Sequence, residues 1–363
     1  MLATIAGEPG RPVGVVLGGD THLDAHVAVA MDHLGRALGT LSIPTNAGGY
    51  RDLLSWAKGF GLLKTAGVEG TGSYGAGLAR HLRAAGVEVL EVERPKRRRP
   101  RRGIGKSDPI DAELAARAVL SGEVAGVSKS ADGRVEAIRA LRSARRSAVK
   151  AKTQAGNQLR ALLLTAPDDL RDRLRGLTTR KLVSASCRLR PAAGVATPEA
   201  ATKLAMRSVA RRHRTLSEEI AELDARIGEL VAQVAQVAPG LVSLPAVGVE
   251  AAATLLVLAG DNPERLRSEA SFASLCGVAP IPASSGKVVR YRLNRGGNRD
   301  ANRALHMVCV VRMKETRTRE YVAKRTAEGK SKREIMRCLK RYVAREVYRE
   351  LVRSPAVPIC VET

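Results

Sequence analysis

The stretch VGVVLGGDTHLDAHVAVAMDHLGRALGTLSI, residues 13–43, decides the fold of the first part of the chain. It contains three short apolar or alternating runs, at residues 13–17, 26–31 and 37–43. Gly18-Gly19 and His33-Leu34-Gly35 separate these runs. Alternation of apolar and polar residues between glycine-containing breaks is typical of strands joined by tight turns. The stretch therefore predicts three antiparallel strands, with Gly18-Gly19 as a break after the first.

Short strands and helices continue to alternate up to about residue 120. The pattern predicts a helix over 47–60 capped by Asn46, a strand over 65–69, a helix over 74–85 and a strand over 87–92. Together these elements predict a mixed-sheet α/β domain of about one hundred residues, which is an ordinary domain size.

Four carboxylates stand at the ends of these predicted elements. Asp20 and Glu69 each close a strand, while Asp108 and Asp111 lie in the first turn of a helix that Pro109 opens. Acids at a helix start are also common without any function, because they interact favourably with its free N–H groups. Four clustered carboxylates would repel one another unless cations neutralised them. We therefore expect a binding site for hard divalent cations.

The charge of the chain points to a polyanionic partner. Lys and Arg number 61 against 36 Asp and Glu, and the formal net charge is +25. The alternative explanation is that the arginine content of the chain reflects the base composition of its genome. Aromatic residues make up only 2% of the chain, so contact with a nucleic-acid backbone is favoured over base stacking. The densest basic segment, residues 94–106, predicts a nucleic-acid-binding or merely solvated loop and includes Arg97, Arg98, Arg99, Arg101, Arg102 and Lys106.

Several classes of protein are not favoured by the sequence. Five widely spaced cysteines without a C-x-x-C pair indicate reduced thiols in a cytoplasm and no structural zinc. No leader pattern or long apolar segment indicates secretion or a membrane span. The acids and imidazoles between Asp20 and His26 would suit a transition metal on an extended backbone, but the predicted turn there argues against zinc. Gly105-Lys106-Ser107 lacks the preceding glycine of a nucleotide-binding loop.

The middle of the chain predicts two long helices, over 134–164 and 201–237, with a break between them. The second carries an apolar seam with alternating spacings of four and three, which is typical of a coiled coil. Its members are Leu216, Ile220, Leu223, Ile227, Leu230 and Val234. The seam suits either a hairpin of the two helices within one chain or a dimer of two chains.

The last third begins with Leu244 to Val249 and an apolar helix over 251–258, which predict a helix-hairpin-helix-like unit. Further on, Ser285 precedes Gly286 among basic and amide side chains. This pattern suits either a serine nucleophile that attacks a phosphate or an ordinary Ser-Gly turn. The surrounding candidates for nucleic-acid contact are Lys287, Arg290, Arg292, Arg295, Asn298 and Arg303. Ser331 to Glu334 predicts a capping box that opens a basic amphipathic helix.

Four ordered motifs resemble the DEDD-type transposases of the insertion-sequence one-ten family, which are related to the Piv invertases. The motifs are Gly19 to His22, Val68 to Tyr74, Gly105 to Ala112, and Ala283 to Gly286 through Gly296-Gly297-Asn298. The resemblance covers nearly the whole chain, with the long helical spacer between the two motif-bearing ends. Leu23 stands where a lysine is expected, and Gly18-Gly19 replaces the more usual Gly-Ile or Gly-Val. Neither departure affects an expected metal ligand.

The resemblance implies a fold, a site and partners. The fold is an α/β RNase H-like (RuvC-like) domain over 1–125, a helical coiled-coil spacer over 126–238 and a mainly α transposase domain over 239–363 with the helix-hairpin-helix-like unit. Asp20, Glu69, Asp108 and Asp111 are expected to bind Mg²⁺, with Mn²⁺ as the alternative, and Ser285 is expected to attack DNA.

The implied partners are donor and target DNA, a guide (bridge) RNA and further subunits, as a homodimer that forms a tetramer on DNA. The implied location is the cytoplasm of a prokaryote, at the nucleoid. Two other functions suit the same residues: a RuvC-like nuclease or resolvase that uses water, and a non-catalytic nucleic-acid-binding protein.

Overall fold

A mixed six-stranded sheet forms the N-terminal part of the chain, and the remainder is mostly helical. The computed structural model describes residues 14–92, 107–124, 126–192, 196–237, 239–284, 286 and 291–353. The strands are β1 (Gly14–Thr21), β2 (Ala25–Asp32), β3 (Ala37–Pro44), β4 (Leu62–Glu69), β5 (Glu88–Val92) and β6 (Gly126–Val127). Their order in the sheet is β3-β2-β1-β4-β5-β6. β1 runs antiparallel to β2 and parallel to β4, and β4 runs parallel to β5.

Three helices cover this sheet: α1 (Ala47–Lys58), α2 (Ala76–Ala84) and α3 (Asp108–Ser121). Leu53 of α1 and Leu78 of α2 pack with Leu17 and Val68 in one core. Val29 and Met31 face the other side and pack with α3. The alternation of side chains along each strand explains this division, because successive residues point to opposite faces. The N-terminal part of the chain is therefore a sheet with helices on both faces.

The predicted strands and the Asn46 cap are confirmed, with one correction. The Asn46 side chain accepts a hydrogen bond from Gly49 N at 2.9 Å and so caps α1. Gly18-Gly19 does not break β1 but lies inside it. A Cβ atom at Gly18 would overlap the Ala112 carbonyl oxygen and lie 2.8 Å from Ala116 Cβ. Glycine is required there by the approach of a helix that lies almost a hundred residues later, not by a turn.

Four helices build the middle of the chain: α4 (Arg134–Leu164), α5 (Asp168–Leu174), α6 (Thr179–Cys187) and α7 (Pro198–Val237). α4 and α7 pack along each other, with Arg145 paired to Asp224 and Arg212 donating to Gln158 Oε1 at 2.6 Å. The seam residues Ile220, Ile227 and Val234 are buried. Within the chain the two long helices thus form a hairpin, which is one of the two arrangements that the seam suits.

The last part contains six helices and a small hairpin among its described residues. The helices are α8 (Gly240–Ser243), α9 (Val249–Ala259), α10 (Glu269–Leu275), α11 (Arg299–Arg312), α12 (Thr316–Ala327) and α13 (Lys332–Arg353), with a 3₁₀ turn at Pro263–Arg265. β7 (Ile281–Pro282) pairs antiparallel with β8 (Tyr291–Arg292). The capping box is confirmed: Ser331 N donates to Glu334 Oε2 at 2.9 Å, and Glu334 N donates to Ser331 Oγ at 3.4 Å.

Contacts between residues divide the chain into two compact units. Unit 1 comprises residues 1–133, 258–302 and 337–363, and unit 2 comprises residues 134–257 and 303–336. The sheet and the β7–β8 hairpin therefore belong to the same unit. Across the part of the chain that is described, no helix has the length and apolar character needed to cross a bilayer.

Candidate functional site

Two of the four predicted acids lie side by side at one end of the sheet. β1 and β4 are parallel neighbours, with Gly19 opposite Val68, so Asp20 and Glu69 follow at the same edge. Thr21 Oγ1 donates to the Glu69 carbonyl oxygen at 3.0 Å and ties the two strand ends together. Asp20 is 4% exposed and Glu69 is 5% exposed. Carboxylates of this kind are rarely so buried without a partner of opposite charge.

The N-terminus of α3 carries the other two acids, Asp108 and Asp111. α3 crosses β1 and β4 where both strands carry glycine. At Gly67 a Cβ atom would lie 2.6 Å from Val119 Cγ2 and 2.8 Å from the Ala115 carbonyl oxygen. Gly18 and Gly67 therefore let the helix lie directly on the strands. Ser107 is the N-cap residue, and Asp108 and Asp111 lie in the first turn, exposed and half-buried respectively.

His22 connects Asp20 with Asp108. Its Nε2 lies 3.1 Å from Asp20 Oδ2 and 3.5 Å from Asp108 Oδ1. One ligand atom from each of the three residues lies within 4.8 Å of the others, and no other such group of histidine, cysteine or acidic residues occurs among the described residues. The turn predicted after Thr21 argued against zinc at this histidine. The turn is present, and it is what directs the imidazole back to the two acids.

The buried side chain of His26 supports the backbone of this turn. The His22 backbone N–H donates to His26 Nδ1 at 3.3 Å and to the Ala25 carbonyl oxygen at 3.2 Å. His26 is fully buried, and its ring stacks on Tyr50 with 5.9 Å between centroids and 6° between planes. Burial holds the pKa of His26 below its usual value, which favours the neutral ring that can accept a hydrogen bond. The backbone that presents His22 is thus anchored in the core.

The donor set of this site fits a divalent cation. Asp20, Asp108 and His22 offer two carboxylates and an imidazole from two different elements and a turn. Glu69 adds a nearly buried carboxylate on the neighbouring strand, and Asp111 adds one in the same turn of α3 as Asp108. Carboxylate oxygens suit hard cations such as Mg²⁺ and Mn²⁺, and the convergence of like charges is relieved when a cation binds. The residues are therefore suited to the metal use that a DEDD site requires.

The predicted nucleophile comes after β7 and before β8 in the sequence. Ser285 itself is outside the described residues, as are Lys287 and Arg290. Its neighbour Gly286 has a φ of +56°, a left-handed conformation that glycine adopts without strain. The hairpin pairs Ile281 with Arg292 and Pro282 with Tyr291.

The glycines and asparagine after the hairpin have a packing role. A Cβ atom at Gly297 would overlap the backbone of Gly277 and lie 2.8 Å from the Ser274 carbonyl oxygen. Asn298 N donates to the Leu275 carbonyl oxygen at 2.7 Å, and its side-chain oxygen accepts from Ala301 N at 2.9 Å. Gly296-Gly297-Asn298 therefore fixes the chain on the end of α10 and caps α11.

The residues predicted to contact nucleic acid differ in their exposure and in their hydrogen bonds. Arg292, Arg295 and Arg303 are exposed on β8, in the following loop and on α11. Asn298 is exposed too, but its side-chain oxygen is engaged as the cap of α11. Arg97, Arg98, Arg99, Arg101, Arg102 and Lys106 fall outside the described residues.

Within unit 1, the segment before α10 is attached to the far edge of the sheet. Asn262 Nδ2 donates to the Ser128 carbonyl oxygen, and Ser130 N donates to Asn262 Oδ1, both at 3.0 Å. Arg265 donates to the carbonyl oxygens of Leu258 and Ala259 at 2.9 and 2.7 Å. Burial raises the pKa of Glu91 on β5, although nearby cations, Arg265 among them, oppose this. Sequence patterns missed this attachment because its partners are more than 130 residues apart.

Comparisons with known proteins match both ends of the chain. A family model for DEDD transposases of the IS110 type, described as "Transposase", matches residues 17–166, which contain all four acids. A second, described as "Transposase IS116/IS110/IS902 family", matches residues 238–323, which contain Ser285.

A curated relative supports the same assignment over a shorter stretch. Over 126 residues the chain is 34% identical to a Streptomyces coelicolor A3(2) protein named "Insertion element IS110 uncharacterized 43.6 kDa protein". The match covers 34% of this chain and 31% of that protein, so the chain spans about a third of the length of this relative. With both family models in order along the sequence, the chain belongs to the IS110 family of transposases.

Proposed function

We propose that this protein is the transposase of an insertion sequence, which cleaves and exchanges DNA strands with a divalent cation, Mg²⁺, and a covalent phosphoserine at Ser285. The observation that carries the proposal is the convergence of Asp20 and Asp108 on His22, beside Glu69 on the neighbouring strand. Acids brought together from a sheet edge and a helix start are the arrangement that metal-dependent phosphate chemistry needs.

An RNase H-like fold for the N-terminal domain is part of the proposal. The order β3-β2-β1-β4-β5, with β2 the antiparallel neighbour of β1, and a helix that brings Asp108 close to the end of β1 support it. The fold would place Asp20 on its central strand, where neighbouring strand ends and α3 can all reach the metal.

The four acids and Ser285 would have separate roles in the reaction. Asp20, Glu69, Asp108 and Asp111 would hold the cation, which supplies Lewis-acid stabilisation of charge on the phosphate oxygens. Ser285 Oγ would attack the scissile phosphorus, forming a serine–phosphate ester as the bond from phosphorus to the leaving sugar oxygen breaks. Because the ester keeps a phosphodiester linkage, a sugar hydroxyl of another strand can displace the serine and rejoin the DNA without ATP.

The proposed partners are donor and target DNA, a guide RNA encoded with the element, and further copies of the chain as a dimer and then a tetramer. The net charge of +25 supports extensive backbone contact. The low aromatic content suits a protein in which base pairing by an RNA reads the sequence, by analogy with other guided systems. Sequencing RNA that copurifies with the protein tests this partner, and its absence from active protein would count against guidance.

A nicked DNA substrate tests the nucleophile. The nick lets the cleaved fragment diffuse away, so a covalent protein–DNA adduct accumulates in Mg²⁺. We expect the adduct with the wild-type chain and with the neighbouring control Ser284→Ala, and none with Ser285→Ala. Undiminished adduct in Ser285→Ala rules out this serine.

The same assay separates the two other functions. Free 5′-phosphate ends without any adduct would identify a nuclease that uses water. Binding without strand breakage under any condition, unaffected by chelators and by Asp108→Asn, would identify a non-catalytic binding protein. Asp20→Asn should abolish cleavage, whereas the exposed control Asp24→Asn should leave it intact.

A further inference from the structure

We propose that His22 is a nitrogen ligand of the metal centre, and that it gives this site a preference for Mn²⁺ over Mg²⁺. The inference rests on the proposed function and adds a fifth residue to the four acids. His22 Nε2 is the atom on which both carboxylates converge, at 3.1 Å from Asp20 Oδ2 and 3.5 Å from Asp108 Oδ1.

These separations match those between ligands of one cation. Two ligand atoms that are each about 2.1 Å from a metal and at right angles to each other lie about 3.0 Å apart. The Nε2 to Asp20 separation is close to this value, and the separation to Asp108 is slightly longer. A cation between the three atoms would therefore require only small side-chain movements.

The position of His22 is held by its backbone as well as by the contact of its ring with Asp20. The backbone N–H of His22 donates hydrogen bonds to the Ala25 carbonyl oxygen and to Nδ1 of His26. The ring of His26 is fully buried and is stacked on Tyr50. A long mobile side chain would lose conformational entropy on binding a cation, whereas this imidazole is already held close to the acids. The arrangement thus resembles a preorganised ligand more than a surface histidine that meets an acid by chance.

The chemical consequence concerns the choice of metal. Mg²⁺ prefers all-oxygen sites, while imidazole nitrogen suits transition metals. Mn²⁺ accepts oxygen ligands as readily as Mg²⁺ but also binds imidazole. A site with one nitrogen and several carboxylates should therefore bind Mn²⁺ more tightly than an all-carboxylate site would.

Mn²⁺ alone, added to the full-length protein, tests the inference without any DNA. Pulsed electron paramagnetic resonance detects a nitrogen nucleus bonded directly to Mn²⁺. We expect this nitrogen signal with the wild-type chain and with the control His33→Asn, which changes an exposed histidine in the β2–β3 turn. We expect no such signal with His22→Asn, together with Mn²⁺ binding that is at least about tenfold weaker.

Competition by Mg²⁺ supplies the second readout. The Mg²⁺ affinity should change much less than the Mn²⁺ affinity in His22→Asn, and His22→Asp should restore binding with a preference shifted to Mg²⁺. If His22 had only a structural role, His22→Asn would weaken the binding of both metals equally.

The outcomes separate this inference from the proposed function. If Mn²⁺ binds, is lost in Asp20→Asn and shows no nitrogen signal, His22 is not a ligand but the acidic site stands. If the nitrogen signal persists in His22→Asn, the assignment is also wrong. If the wild-type chain binds no Mn²⁺ at all, both the inference and the metal-dependent function fail.

Discussion

Single residues in this protein often serve a distant element rather than their own. Gly18 and Gly67 are part of strands, yet the space that they leave is occupied by the backbone and side chains of α3. Asn298 follows a loop, yet its side chain caps the helix that carries Arg303. The roles of such residues are visible only when the partner element is known, which is why Gly18-Gly19 was wrongly predicted to end β1.

Replacing Gly18 with alanine tests the close packing of α3. The new methyl group would overlap the Ala112 carbonyl oxygen, so α3 must shift. We expect Gly18→Ala to lower the free energy of unfolding by about 1–3 kcal/mol. Gly14→Ala on the same strand has no atom within 4 Å of its new Cβ and should change stability by less than about 0.5 kcal/mol. Equal stability of the two variants in urea unfolding would contradict the packing argument.

Asp32 gives the β2–β3 turn a stability that depends on pH. Its Oδ1 accepts from Leu34 N and Arg36 N, both at 2.9 Å, and its Oδ2 accepts from Arg36 Nε at 2.7 Å. The bond from the Arg36 backbone is the main cause that lowers the pKa of Asp32 below its usual value. Because the folded state favours the ionised form, this stabilisation is present above the ordinary pKa of aspartate and is lost as the pH falls through the lowered one.

Urea unfolding across a pH series measures this contribution. We expect Asp32→Asn to be less stable than the wild-type chain at neutral pH, with the difference shrinking as the medium becomes acidic below the ordinary pKa of aspartate. A difference that stays constant across the series would show that the charge of Asp32 is not responsible.

At the scale of elements, local patterns predicted regular structure well and contacts between elements poorly. The 31-residue helix α4 and the strands β2 and β3 follow from periodicity, and Asn46 marks the start of α1. The short helices α5 and α6 lie in a segment that the sequence analysis treated only as a break, because seven to nine residues give little periodicity. β6 and the β7–β8 hairpin have two-residue strands and exist only through their pairing partners.

The candidate site was predictable to a similar degree. Asp20 and Glu69 could be placed at strand ends and Asp108 at a helix start, since each follows from a local pattern. The approach of Asp108 to Asp20, and the part that His22 takes in it, depends on α3 lying on β1 and β4. That arrangement is set by two glycines whose significance a sequence pattern does not reveal.

Ile227 tests whether the helical seam is satisfied inside one chain. It is 2% exposed, and α7 packs along α4. We expect Ile227→Ala to lower the free energy of unfolding by about 2–5 kcal/mol through the cavity that it leaves. The exposed control Gln233→Ala on the same helix should have little effect. The stability difference between Ile227→Ala and the wild-type chain should persist at protein concentrations at which the chain is monomeric, whereas a seam formed between two chains would make it disappear.

At the scale of the whole molecule, charge dominates the expected behaviour with nucleic acid. An excess of 25 positive charges will make binding fall steeply as salt increases, because each neutralised phosphate releases condensed counterions. Charge of this kind sets affinity and association rate rather than sequence preference. Only some of the basic residues will take part, since Arg145 and Arg265 have their own partners inside the protein.

A pair of variants distinguishes contact from support. If Arg295 touches a phosphate, Arg295→Gln should weaken DNA binding and reduce the slope of log affinity against log salt by about one. Asn298→Ala should leave that slope unchanged and lower the free energy of unfolding by about 1 kcal/mol, because it removes the cap of α11. Binding titrations at several salt concentrations, with thermal unfolding of both variants, give the comparison. A reduced slope in Asn298→Ala would assign that side chain to the nucleic acid after all.

The discontinuous make-up of unit 1 has a consequence for how the protein is synthesised. Glu69 and Asp108 leave the ribosome early, but the segment that carries the hairpin meets its partners on α13 only later. Glu269 of α10 pairs with Arg341 and Arg345, and Asn302 accepts from Lys340 at 2.8 Å. Until residues 337–353 have been translated, Glu269 and Asn302, which lie on either side of the hairpin in the sequence, lack these partners. A product that ends before residue 337 would therefore keep all four acids but lack the helix that pairs with Glu269 and Asn302.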